Sequence, residues 1–383
     1  MDNGSNFLRV NWSDGMKLNK ELFIAQDNAA AAAAYQLAAT GLTPFRYGLL
    51  PGEKNFNVRM SVDNQNTIRI SVLSLKALTQ GGFPVTIDAF TDAAATDGVP
   101  AAALEINVNQ QATCWAVLLV NPFERNPAGS IDPAETPARF PYVKAGFSVL
   151  IADDREIPQY TQHPAALIIG KIAVNGNAAY IDEDYIPPCM ATAAYADLLG
   201  LHAELDQFLA GLEQACSQIV QKIYKKSQQN ALSELARFLC DRMMLFLGPT
   251  ITEYRWDIIY EPPAKMLGPI AALARVIKNT IDLRIGSGKD ELMSYLCEWC
   301  ELNQGALEAL LNEMALLRYN HNDVNENIRQ IVQFARVIGK LFTTLSNLEF
   351  IGKRKDAGLF VKEEQTFPDN DTNAPRPKRR FFG

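Results

Sequence analysis

Histidine is scarce in this chain: its 383 residues include three, His163, His202 and His321, and none lies in a catalytic motif. Histidine exchanges protons most readily near neutral pH, so this scarcity argues against histidine-centred acid–base catalysis. The chain also lacks a Gly-x-Ser-x-Gly nucleophile turn. Residues 286–290 form an incomplete phosphate loop, because the first glycine and the final Ser or Thr of that motif are missing. We therefore predict that the chain is not an enzyme and has no catalytic residue and no cofactor.

Basic residues are outnumbered, since 36 Lys and Arg stand against 43 Asp and Glu, for a net charge of −7. Nucleic-acid binding depends on clustered cations that neutralise phosphates, so we expect no nucleic-acid partner. No apolar run approaches the length that spans a bilayer, and residues 1–6 lack the basic and apolar regions of a signal peptide. A cytoplasmic protein is expected.

Cysteine is limited to six residues, scattered through apolar stretches. Cys297 and Cys300 form a Cys-x-x-Cys pair inside a helical pattern, but no second pair follows, and His321 is only a distant candidate for a further ligand. Reduced, buried thiols are favoured over a zinc or redox site, so no metal is predicted. The six are Cys114, Cys189, Cys216, Cys240, Cys297 and Cys300.

The first half of the chain combines one helical pattern with short alternating segments. The alanine-rich residues 20–40 favour a helix. From Phe56 to Val62, and again from Ile68 to Val72, apolar and polar residues alternate, as in strands with one buried face. These patterns predict a β-rich, sandwich-like shell domain over residues 1–188. Further strands are predicted at 83–90, 104–108, 113–120, 145–151 and 166–174, with loops at 91–103 and 121–141.

Helical patterns replace strand patterns after residue 188, and the predicted fold class is α+β with an all-α bundle or neck at 189–350. Helices are predicted at 231–247, 251–260, 264–283 and 290–317, with Pro249 as one of the breaks. Residues 351–383 lose the periodicity and are predicted to be a disordered polar and basic tail.

Two apolar stripes stand out in the helical region, and the second, at residues 324–345, approaches a heptad repeat. Internal packing and an intersubunit coiled coil fit both stripes about equally well. The first stripe supplies the candidates for a trimer contact: Leu198, Leu201, Leu205, Phe208, Leu212, Ile219 and Ile223.

Three short motifs follow one another along the chain. Residues 12–18 have the pattern Trp-x-x-Gly-Met-x-Leu, residues 47–49 are Tyr-Gly-Leu after the first predicted helix, and residues 185–188 are Tyr-Ile-Pro-Pro before the helical region. In these motifs the chain resembles the TssK (VasE or ImpJ) family of type VI secretion baseplate subunits.

The resemblance implies a homotrimeric structural protein of a contractile injection system. In that family the first domain, related in fold to the shoulder domains of siphophage receptor-binding proteins, attaches to the wedge proteins TssF and TssG, and the neck holds the trimer. A C-terminal head then docks on the membrane complex of TssJ, TssL and TssM. Here only residues 351–383 follow the predicted neck. In this respect the chain is similar to a Bacteroidetes-like variant without that head. The resemblance thus implies an assembly at the inner face of the bacterial inner membrane, held by a membrane complex or adaptor of uncertain identity.

Two sets of residues are candidates for partner contacts. Apolar side chains in a terminal arm suit an interface, and ordinary core packing is the alternative. The basic tail can engage an acidic membrane surface, a nucleic acid or an acidic protein patch, and a solvated terminus is the alternative. A phage-type baseplate or receptor-binding protein and a cytosolic enzyme with a Cys/His metal site remain as other functions. The wedge candidates are Trp12, Met16, Leu18, Phe23 and Phe45, and the tail-docking candidates are Lys378, Arg379, Arg380, Phe381 and Phe382.

Overall fold

The computed structural model describes residues 7–63, 67–88, 102–105, 113–175, 178–353 and 381. The chain divides into two compact units. The β unit comprises Met1–Ala194 together with His321–Asp323, and the helical unit comprises Tyr195–Asn320 and Val324–Gly383. Helix accounts for 49% and strand for 22%, with antiparallel sheets in the first half and helices in the second, which confirms the α+β class.

The described strands of the β unit form two antiparallel sheets. In the first, β3 pairs with β1, β2, β4 and β5, and in the second the order is β7-β6-β8-β9. The elements are α1 (Lys20–Thr40), β1 (Gly48–Leu49), β2 (Phe56–Val62), β3 (Thr67–Leu78), β4 (Pro84–Asp88), β5 (Ala102–Glu105), β6 (Thr113–Ala128), β7 (Tyr142–Asp153), α2 (Ile157–Thr161), β8 (Ala166–Asn175) and β9 (Ala178–Ile181).

Alternation of polarity explains the central strand β3. Ile68 and Ile70 are buried while Arg69 between them is exposed, as a pleated strand with one face on the core requires. Val62 of β2 pairs with Ile68 of β3, so the two alternating segments are antiparallel neighbours. Met60 of β2 lies against Gly170 of β8, and this contact joins the two sheets.

The loop predicted at 121–141 is wrong in its first part, because β6 continues to Ala128 and β7 begins at Tyr142. The β6–β7 register shifts between Asn121 and Asn126, and Pro122 falls inside this irregularity. A proline at a bulge removes no ladder hydrogen bond, so the strand continues past it. Most of the loop predicted at 91–103 lies outside the described residues.

The described helices of the helical unit begin with α3, the longest of them. Its buried residues recur every three or four positions, which is the period of one helical face. The elements are α3 (Ala196–Lys225), α4 (Ala231–Trp256), α5 (Pro263–Asp282), α6 (Lys289–Cys300), α7 (Gln304–Ala315) and α8 (Val324–Asn347).

Two predicted boundaries in this unit are wrong. Pro249 does not end a helix, since α4 runs through it. Pro249 and Leu245, whose carbonyl would accept from that position, both lie on an exposed face, so water can satisfy the carbonyl. The single helix predicted at 290–317 is two helices, α6 and α7, because Glu301 adopts a left-handed conformation with φ of 59°.

Candidate protein interface

The N-terminal arm, residues 7–19, lies beside helix α1 of the β unit. The side-chain oxygen of Asn19 accepts a hydrogen bond from the Leu22 amide at 3.0 Å and caps α1. Gln26 accepts from the Val10 amide at 3.2 Å, which ties the arm to the helix. The Met16 amide donates to the Ser13 carbonyl at 3.3 Å and closes a turn. The arm is therefore an ordered segment with a defined turn.

Large apolar side chains of this arm and of the first turn of α1 face solvent. Trp12, Leu18 and Phe23 are 46%, 58% and 53% exposed, and Met16 is half-buried. The Trp12 and Phe23 rings contact each other, with centroids 6.0 Å apart. We call these four residues the arm patch. Clustered exposed apolar side chains are typical of a surface that binds another protein.

Phe45, the fifth wedge candidate, lies elsewhere. It follows the C-terminal end of α1, whereas Phe23 is in the first turn of that helix. At about 1.5 Å per residue, the helix separates the two by roughly 25 Å. Phe45 is 44% exposed, so the structure leaves it at the surface without bringing it to the arm patch.

Helix α1 also stands apart from most of the β unit. Of its 21 residues only Ala29 is buried. A groove of about 1310 Å³ lies between the helix, the start of the arm and strands β6 and β7. Aromatic rings line it: the Phe7 and Phe123 centroids are 4.1 Å apart, and those of Tyr35 and Phe123 are 5.9 Å apart. Arm, helix and groove thus form one largely apolar surface.

The other two motifs meet inside the β unit. The Leu49 amide donates to the Pro188 carbonyl at 2.8 Å, and the Met190 amide donates to the Leu49 carbonyl at 2.9 Å. Gly48 has a φ of +106°, and a Cβ built on it would lie 2.0 Å from the Pro188 carbonyl oxygen. Glycine is required here for both reasons. The Tyr-Gly-Leu and Tyr-Ile-Pro-Pro motifs are therefore two sides of one close backbone contact.

Sequence reasoning missed the residues that complete this contact. The Tyr47 hydroxyl donates to the Asn322 side-chain oxygen at 2.9 Å, and the Tyr185 hydroxyl donates to the Asn322 carbonyl at 2.8 Å. His321 Nε2 lies 2.9 Å from the Tyr47 carbonyl, which only accepts, so the ring donates through Nε2. The one available signal was the polar run at 320–323 between two helical patterns. We call Tyr47, Tyr185, His321 and Asn322 the tyrosine cluster.

Burial sets the ionisation of this cluster. It lowers the pKa of His321 to about 4, against a smaller opposing effect of its hydrogen bond to Tyr47. Desolvation also raises the pKa of both Tyr47 and Tyr185. All three groups are therefore uncharged at neutral pH. The nearby ion pair of Lys171 with Asp323 adds a charged contact, so the cluster stabilises the unit and offers no proton donor poised near pH 7.

The stripe on α3 lies in the interior of the helical unit. Six of its seven trimer-contact candidates have at most 2% of their surface exposed, and Phe208 is half-buried. This is what the internal-bundle alternative predicts. A role for the stripe in a trimer stays a prediction, and one that burial within a single chain does not support. The six buried residues are Leu198, Leu201, Leu205, Leu212, Ile219 and Ile223.

The cysteines form no disulfide in the structure, and five of the six are buried, as the prediction of buried thiols expects. Burial raises the pKa of Cys297 to about 12, so this thiol is protonated at neutral pH and is a poor nucleophile or metal ligand. Among the described residues no group of three or more His, Cys, Asp or Glu side chains could hold a metal ion.

The structure describes only part of the set of tail-docking candidates. Of the five, only Phe381 is among the described residues, and it is buried, with 6% of its surface exposed. Lys378, Arg379, Arg380 and Phe382 lie outside the described residues. Within the described part of the chain, no helix combines the length and apolar character needed to cross a membrane.

The chain is similar to solved structures of type VI secretion proteins. One is TssK from the EAEC system, solved in complex with a nanobody. The alignment includes 83% of this chain and 99% of that one, at 14% identity and a TM-score of 0.45. Another is a chain of a type VI secretion baseplate complex. The alignment includes 88% of this chain and 99% of that one, at 16% identity and a TM-score of 0.47. Against a chain of the TssK-TssF-TssG baseplate subcomplex the same coverages hold, at 15% identity and a TM-score of 0.42. At these identities and scores the likeness carries no function over to this chain. No family model and no curated protein matches it.

Proposed function

We propose that this chain is a TssK-like structural subunit of a type VI secretion baseplate, a homotrimer that links the TssF and TssG wedge to a membrane anchor. The proposal rests on the three motifs and on how the structure uses them. The second and third motifs contribute Tyr47 and Tyr185 to the buried tyrosine cluster of the β unit. The first motif contributes most of the exposed arm patch. A motif that places large apolar residues at the surface is best explained by a partner that covers them.

The single observation that carries the proposal is the exposure of the arm patch. Trp12 and Phe23 each expose about half of their surface, although they touch each other and the arm itself is hydrogen-bonded to α1. Covering a large apolar side chain is worth roughly 1.5–3 kcal/mol, so binding a partner here would recover a substantial free energy. Aromatic residues are also the commonest anchors of protein interfaces.

Wedge capture tests this role. The double variant Trp12→Ala with Met16→Ala is mixed with purified TssF–TssG complex of the same secretion system, and co-elution is measured by size-exclusion chromatography. We expect at least a tenfold loss of capture, because two of the four patch side chains are removed. Leu37→Ala is the matched control, since Leu37 is 73% exposed on the same helix α1 but far from the patch. Wild-type capture by the double variant would assign the arm to ordinary packing.

A trimer contact requires surface residues of the helical unit other than the buried α3 stripe. On α4, Leu245 and Trp256 are 72% and 71% exposed and lie eleven positions apart, about three turns, so they share one helical face. Tyr260, which follows, is 67% exposed. We propose this face as the contact between copies of the chain.

Light scattering after size exclusion tests the trimer directly. Three subunits of 42.4 kDa give about 127 kDa, and an obligate contact holds that mass on dilution. Leu245→Asp with Trp256→Asp is expected to give a folded species of 42.4 kDa. Leu316→Asp, at a residue 75% exposed at the end of α7, serves as the control and is expected to remain trimeric. A wild-type monomer at every concentration contradicts the trimer.

A further inference from the structure

Phe381 is held on the helical unit by its backbone. Its amide donates to both carboxylate oxygens of Glu204, at 2.8 and 3.0 Å. Its carbonyl accepts a hydrogen bond from the Arg336 guanidinium. The residue is 6% exposed, so the aromatic ring is covered as well. Both main-chain polar groups of one residue are thus satisfied by charged side chains, and its side chain is buried.

The two charged residues stand on neighbouring helices. Glu204 belongs to α3 and Arg336 to α8. One turn further along, a Cβ built on Gly339 of α8 would lie 3.5 Å from the Phe208 ring of α3. Near the other end, the Lys222 ammonium donates to the Ser346 and Leu348 carbonyls. The helices are therefore fixed side by side, and they present the carboxylate and the guanidinium at a set separation.

The chemistry of these contacts suits a peptide segment. The carboxylate accepts from a backbone amide and the guanidinium donates to a backbone carbonyl, and every residue type except proline offers both groups. Because each bond involves a charged group, both hydrogen bonds are stronger than neutral ones. Covering the ring adds a preference for a large apolar side chain at that position. The Phe381 amide faces Glu204, and the three residues that precede Phe381 in the sequence are all basic. A cationic peptide is the electrostatic complement of a site that contains a carboxylate.

We propose that the α3–α8 face at Glu204 and Arg336 is a peptide-binding site whose occupant is the C-terminal segment of the same chain, anchored by Phe381. The segment is a tethered ligand. Twenty-seven residues, 354–380, separate it from Lys353, and an extended chain spans up to about 3.6 Å per residue, which is ample to reach the site. The proposal does not depend on the baseplate function, because the helical unit alone supplies the site.

A labelled peptide tests the site on the full chain. The probe is a fluorescein-labelled peptide of residues 374–383, Ala-Pro-Arg-Pro-Lys-Arg-Arg-Phe-Phe-Gly, titrated by fluorescence anisotropy. We expect it to bind the full-length Phe381→Ala chain at least tenfold more tightly than the wild-type chain, whose own segment fills the site. Equal affinity for the two chains overturns the proposal.

The peptide itself supplies a control that involves no folding of a variant protein. A peptide with Phe381→Ala is expected to lose at least tenfold in affinity, and one with Phe382→Ala to stay within about threefold. Both keep every basic residue, so simple attraction of a cationic peptide to an acidic protein predicts no difference. Equal binding of the two variant peptides to the Phe381→Ala chain overturns the proposal.

Variants of the site complete the test. In the Phe381→Ala background, Glu204→Ala and Arg336→Ala are each expected to weaken peptide binding at least tenfold. Glu213→Ala on α3 and Arg329→Ala on α8 are the matched controls and are expected to change it less than twofold. Circular dichroism confirms that each variant is folded. Undiminished binding by folded Glu204→Ala and Arg336→Ala chains also overturns the proposal.

Discussion

The arm patch and the α3 stripe contain the same kinds of side chain and differ in where the structure puts them. From the sequence, both were candidates for contact surfaces, with internal packing as the alternative for each. Trp12 and Phe23 of the arm patch remain about half exposed, whereas Leu205 of the stripe is fully buried within one chain. The apolar residue type therefore does not decide whether a surface is available to a partner. What decides it is whether other helices of the same chain already cover it.

The largest expected effect sharpens this contrast at the stripe. Leu205→Asp removes a fully buried leucine of α3 and places a carboxylate among apolar side chains. We expect a loss of more than about 5 kcal/mol in the free energy of unfolding, from the lost packing and the buried charge together. Urea unfolding followed by circular dichroism measures it. Leu199→Asp, on the same helix but 42% exposed, is expected to cost less than about 1 kcal/mol. Similar costs for the two would mean that the stripe is not internal.

A second prediction tests the buried contact between the two inner motifs. Gly48→Ala forces a Cβ to within 2.0 Å of the Pro188 carbonyl oxygen at a φ of +106°. We expect a loss of about 3 kcal/mol or more in unfolding free energy, since the added atom must displace backbone and strain the residue. Gly41→Ala is the control, because its Cβ would meet its closest neighbour at 3.7 Å. Thermal unfolding that is equally affected by both substitutions would contradict the close contact.

The third prediction concerns pH. Burial lowers the pKa of His321 from 6.5 to about 4, so between these values the unfolded chain binds more protons than the folded one. Stability is therefore lost as the pH falls through about 6.5, and the loss levels off below about pH 4. Its total is about 3 kcal/mol, at 1.36 kcal/mol per pKa unit.

Denaturant unfolding at pH 7.5, 5.5 and 4.0 measures this loss for the wild type and for His321→Gln. The glutamine cannot protonate, so its profile contains only the contribution of the other titrating groups. The difference between the two profiles isolates His321. Parallel profiles would show that the histidine is accessible to water in the folded chain.

The smallest effect on stability is expected at the arm patch. Trp12→Ala and Phe23→Ala each remove a side chain that is about half exposed, so we expect each to cost roughly 1 kcal/mol. The measurement is thermal unfolding, run beside the Gly48→Ala variant. A cost at the arm as large as that of Gly48→Ala would place Trp12 and Phe23 in the core and would remove the contrast on which the interface rests.

Local sequence was sufficient for several parts of the fold. Ile68, Arg69 and Ile70 alternate in polarity and form a strand, and the alanine-rich residues 20–40 form α1, because strand and helix each impose a period on neighbouring residues. Pro249 shows where local reasoning stops. The loss of its amide is less costly where water can reach the freed carbonyl, and that depends on which face the tertiary structure exposes.

The sequence alone determined the α+β class and the helical period of the α3 stripe, whereas the exposure of the apolar residues in the arm patch was decided by the tertiary structure. Only the tertiary structure decided that Tyr47 and Tyr185 share Asn322, across 275 and 137 positions of the chain. The same holds for Phe381, whose backbone lies against Glu204 and Arg336. The reason is physical: periodicity reports only interactions between residues close in sequence. Burial, a lowered histidine pKa and a peptide site all depend on groups brought together from distant positions.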